Sequence, residues 1–73
     1  MSNIEMLIKR EIENGREIYT NQSPTKRVKL LEIYPANGKY EVIGEIVESE
    51  FGNDNVGSKI TMNGSDVIRI LGI

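Results

Sequence analysis

The sequence predicts a single, mainly β domain with one helix: an N-terminal helix over about 3–13 packed on a small antiparallel barrel, or strongly curved sheet, of four or five strands. Three observations predict it. A helical apolar spacing runs only as far as Asn14-Gly15. Beyond that point, short β-type segments alternate with Gly- and Asn-rich turns. Within those segments the apolar residues switch faces, and Gly44 stands mid-strand, where glycine marks a bend or bulge. Closing such a sheet into a barrel would also remove its exposed edges.

The helix comes first. Ile4, Leu7, Ile8 and Ile12 recur at helical spacing and form one apolar stripe. Ser2 and Glu5 match the S-x-x-E capping box, in which hydroxyl and carboxylate each satisfy a backbone N–H at the helix start. Glu5 and Lys9 stand in the favourable i,i+4 order. Gly15 can take the left-handed conformation that ends a helix. A helix this short is marginal alone in water, so its stripe must pack on the sheet that follows.

The strands follow in order. Residues 17–20 form a short strand, and 21–25, rich in turn formers, a loop. Residues 26–34 carry apolar Val28, Leu30, Leu31 and Ile33 as a second strand. Pro35-Ala36-Asn37-Gly38 is a hairpin turn into the longest strand, 39–49. There Tyr40, Val42 and Ile46 share one face, and Ile43 and Val47 the other. A loop over 51–57 leads to a second hairpin, 58–63 and 66–71, around Asn63-Gly64.

Composition bounds the function. At 73 residues the chain is one domain, 1–73, too small for a second core. It has no Cys and no His, so it lacks disulfides, thiolate or imidazole metal ligands, and the commonest catalytic base and nucleophile. No cofactor or metal is expected, and no catalytic residue is assigned. The start lacks the basic and long apolar regions of a secretory signal, and no apolar run is long enough for a membrane span. A cytoplasmic protein without a membrane partner is the expectation. With 9 basic and 11 acidic residues, net charge is −2, which argues against coating nucleic acid by charge alone.

The stretch Asn63-Gly64-Ser65-Asp66-Val67-Ile68-Arg69-Ile70 resembles the second Sm motif through Gly64, Val67 and Ile70. That resemblance implies an N-terminal helix followed by bent strands, an Sm-like or SH3-like barrel. The first Sm motif is not matched: Gly38 and Gly44 are one residue too far apart, and Glu50 then Asn53 stand where an aspartate–asparagine pair belongs.

Candidate binding residues fall in two places. Phe51 opens a polar loop with Asn53 and Asp54 and is a candidate anchor for a protein partner. Lys26, Arg27 and Lys29 form the densest basic stretch, a candidate site for an anion; alternation puts Arg27 and Lys29 on one face. Edge-strand lysines also serve simply to block unwanted pairing. Glu41, Glu45 and Glu48 along the longest strand read as a solvated face. The expectation is a non-catalytic protein-binding module: an accessory, adaptor or inhibitor, of the kind phages and mobile elements encode, that occludes or augments a partner protein. The alternative is a homo-oligomeric small barrel binding nucleic acid or a nucleotide-type anion.

Overall fold

A computed structural model describes residues 3–20, 25–50 and 56–73. The elements are α1 (Asn3–Glu13), β1 (Glu17–Tyr19), β2 (Lys26–Ala36), β3 (Lys39–Ser49), β4 (Lys59–Asn63) and α2 (Gly64–Leu71). The strands form one antiparallel sheet in the order β1-β2-β3-β4.

Helix α1 forms as its spacing predicts. Ile8 is fully buried, with Ile4 and Ile12 packed beside it against the core. Lys9 Nζ lies 3.8 Å from Glu5 Oε1. Gly15, at φ 70°, turns the chain out of the helix toward β1. Ser2, the expected cap, lies outside the described residues.

The hairpin between β2 and β3 is tighter than the four-residue turn expected. Both strands continue to Ala36 and Lys39, leaving only Asn37-Gly38 as the loop. Both have positive φ, 52° and 76°, as a type I′ turn requires. Pro35 therefore lies within a strand. Ladder bonds alternate, and Pro35 occupies a position whose N–H would point away from β3, so no bond is lost.

Register shifts fall between Arg27 and Val28 and between Leu30 and Glu32, leaving Val47 and Leu31 as extra residues. Such bulges bend the sheet. Gly44 lies between them on the buried face, where an added Cβ would overlap Val28 Cγ1. The expected glycine bend is therefore a close approach of two strands.

Residues 66–71 are not a strand, and the sheet does not close. They belong to α2, which begins at an Asn63 N-cap whose Oδ1 accepts from Ser65 N at 2.8 Å. Gly72 ends the helix in the left-handed conformation, φ 73°. Asp66 in the first turn and Arg69 in the last complement the helix dipole. Gly64, Val67 and Ile70, the residues of the Sm resemblance, thus stand on a helix and not on a hairpin. With no strand there to close a barrel, the architecture is an open curved sheet with both helices on one face.

Helix α2 contacts β1, β3 and β4, while α1 packs on β2 and α2. The core between helices and sheet is Ile8, Ile18, Val28, Leu30, Val42, Ile46 and Val67. Burying each such side chain is worth roughly 1.5–3 kcal/mol. No described helix is long and apolar enough to cross a membrane.

Candidate functional site

The open sheet leaves β4 as an edge. Its residues alternate in exposure: Lys59, Thr61 and Asn63 are exposed, while Ile60 and Met62 are half-buried toward the core. Ile46 N–H donates to the Ser58 carbonyl at 2.9 Å, which fixes the phase of the β3–β4 ladder. By alternation, Ile60 and Met62 bond to β3. The N–H groups of Lys59, Thr61 and Asn63 point outward, with no backbone partner among the described residues.

A cleft of about 280 Å³ runs beside this edge. Ile60, Met62, Val67 and Ile70 give it an apolar lining. Thr20 and Lys26 face them from the far end of the β1–β2 hairpin, and Asp66 adds a carboxylate. The bent sheet thus brings its two edges toward one cleft, and the cleft is the unclosed seam of the would-be barrel.

The sheet's other face carries no helix. Leu31, Ile43 and Val47 are half-buried there but do not pack on the core. Glu17, Lys29, Glu45 and Lys59 are registered partners across β1, β2, β3 and β4 in turn. Cross-strand partners share a face, so these residues form one row of alternating charge. Tyr34 Oη donates to Glu41 Oε2 at 2.6 Å on the same face. That bond, then desolvation and the charges of Glu41 and Glu32, raise the Tyr34 pKa.

The basic stretch is divided between two surfaces. Arg27 and Lys29 share the helix-free face, as alternation predicts, while Lys26 lines the seam. Arg27 Nε is screened from solvent and lies 3.3 Å from Glu17 Oε1, an ion pair without hydrogen-bond geometry. Lys29 is flanked in register by Glu17 and Glu45. Phe51, Asn53 and Asp54 lie outside the described residues. Among the described residues there is no cluster of three or more acidic, Cys or His residues able to hold a metal.

The sequence hides the β4 edge because 66–71 offers 58–63 an apparent hairpin partner. The signals that could have exposed it were the Asn63 cap, Asp66 at the helix start and Gly72 at its end. The chain matches no protein-family model, no curated protein and no solved structure.

Proposed function

We propose that this chain is a small protein-binding module, acting as an accessory, adaptor or inhibitor, which captures an extended segment of a partner protein on the free edge of β4. The outward N–H groups at Lys59, Thr61 and Asn63 carry the reading. An added strand would bond to this edge and direct alternate side chains into the apolar seam. Its main-chain bonds supply affinity, and the cleft selects apolar side chains at every second position. Lys59 at the strand start guards against indiscriminate pairing.

An anionic ligand at Arg27 and Lys29 has less behind it, because Glu17 pairs with Arg27 and Glu17 and Glu45 flank Lys29 in register. A phosphate would have to compete with carboxylates already in place.

The test is affinity capture from host lysate with the wild type and with Thr61→Pro. Proline removes one outward N–H without touching the β3 ladder. A partner retained by the wild type and lost with Thr61→Pro supports strand addition, and hydrogen exchange at Lys59, Thr61 and Asn63 should slow in that complex. Equal capture by both proteins, with unchanged exchange at the edge, would refute it.

A further inference from the structure

We propose that the helix-free face of the sheet is a homodimer interface, in which two copies pack face to face about a two-fold axis running along the strands between β2 and β3. This surface adjoins the β4 edge and shares the Lys59 side chain with it, but it lies on the face opposite the apolar seam.

The charge row selects the occupant and the axis. Read across the sheet, Glu17, Lys29, Glu45 and Lys59 run negative, positive, negative, positive. A two-fold axis along the strands reverses this order in the second copy. Lys29 then faces Glu45 of the second copy, Glu17 faces its Lys59, and each pair occurs twice. An in-plane axis along the row would set like charge against like, which disfavours it. The row is therefore complementary to itself in one orientation and repulsive in the other. The next row repeats the arrangement, with Arg27 on β2 registered against Glu48 on β3.

Two further observations support a second copy here. Lys29, Glu45 and Lys59 make no ion pair within 4.0 Å among the described residues, although they are neighbours in register. The dimer gives each an opposite charge. Leu31, Ile43 and Val47, left out of the core, add apolar surface to the same face. Two such sheets can pack with their strands within about 30° of each other, which the two-fold along the strands permits.

Strands of 3, 11, 11 and 5 residues, rising about 3.3 Å per residue and spaced about 4.8 Å, present a face of roughly 480 Å². That is a small patch beside the ~800 Å² per partner of a standard interface. The association is accordingly weak, to be sought at about 10 μM to 1 mM.

Sedimentation equilibrium of the full chain over that range tests it. The wild type should approach twice the monomer mass, and salt should weaken the association. Lys29→Glu and Glu45→Lys should each raise the dissociation constant at least about tenfold, since each sets two like-charge contacts across the axis. An equimolar mixture of the two should dimerise again, because each variant supplies the charge the other needs. Circular dichroism checks that each variant is folded; if either is not, the neutral pair Lys29→Gln and Glu45→Gln replaces it, each expected to weaken the dimer by a smaller factor. A wild type that stays monomeric at 1 mM overturns the proposal. So do single variants that dimerise like the wild type, or folded charge-reversal variants whose mixture stays monomeric.

Discussion

Val28 Cγ1 occupies the space that a side chain at residue 44 would need, so Gly44 is what lets β2 and β3 close on each other at the sheet's bend. Met62 Cε and the Lys29 carbonyl stand 3.1 and 3.2 Å from the same point. Val28 is fully buried and β-branched, so it cannot swing away. Gly44→Ala should therefore destabilise the fold by about 1–3 kcal/mol in urea unfolding, the cost of overpacking. In a Val28→Ala background the penalty should fall, because the obstructing methyl is gone. An undiminished penalty in that background would mean that Val28 is not the obstruction.

This pair also marks how far the sequence was legible. Gly44 inside a strand announced a bend, and the spacing of Ile4, Ile8 and Ile12 announced a helix. Both are local patterns with one structural solution. Residues 66–71 had two. Val67, Ile68 and Ile70 favour strands by side-chain shape, yet apolar residues at 67, 68, 70 and 71 also fit one helical stripe. Tertiary packing of Val67 into the core, with caps at both ends, decides for the helix. The seam and the charge row were illegible for a different reason. They depend on strand register across the sheet: the switch of apolar faces announces a bend, but not which strands pair, nor how the bulges at Leu31 and Val47 set their register.

The caps of α2 can be tested directly. Asn63→Ala removes the acceptor for Ser65 N–H and should cost about 1 kcal/mol, while Asn63→Asp should retain most of it. Gly72→Ala places a Cβ on a left-handed residue and should cost a similar amount, about 1 kcal/mol. Thermal unfolding followed at 222 nm reads both changes. Equal stability of Asn63→Ala and wild type would mean that the cap contributes nothing to α2.

The Tyr34–Glu41 bond predicts a pH dependence with a definite sign. Ionising Tyr34 would break its donation to Glu41, strand a phenolate in a partly desolvated site, and set it against the carboxylates of Glu41 and Glu32. Its folded pKa is therefore raised above the ordinary 10.0. A group held in its protonated form by the fold stabilises it below the unfolded pKa, and that contribution is lost as pH rises through the folded value. Absorbance at 295 nm should show a late-ionising component that Tyr34→Phe removes. Glu41→Gln should move that component to lower pH. A Tyr34 midpoint indifferent to Glu41→Gln would place the cause elsewhere.

Strand β4 makes the sharpest prediction, because adjacent residues should answer oppositely to proline. Ile60 is paired with Gly44 at a position whose N–H the ladder phase turns toward β3, so Ile60→Pro removes a sheet bond and forces a ring into the core face. Its cost should be about 3 kcal/mol or more, against roughly 1 kcal/mol or less for Thr61→Pro, whose N–H points outward. Urea midpoints give the comparison, and amide exchange gives the same phase independently: Ile60 and Met62 protected, Thr61 fast. Should Thr61→Pro unfold the domain as readily as Ile60→Pro, the outer edge of β4 is already bonded within the chain. The strand-addition proposal would then lose its physical basis, whereas the dimer face, which depends only on side chains, would stand or fall on its own measurement.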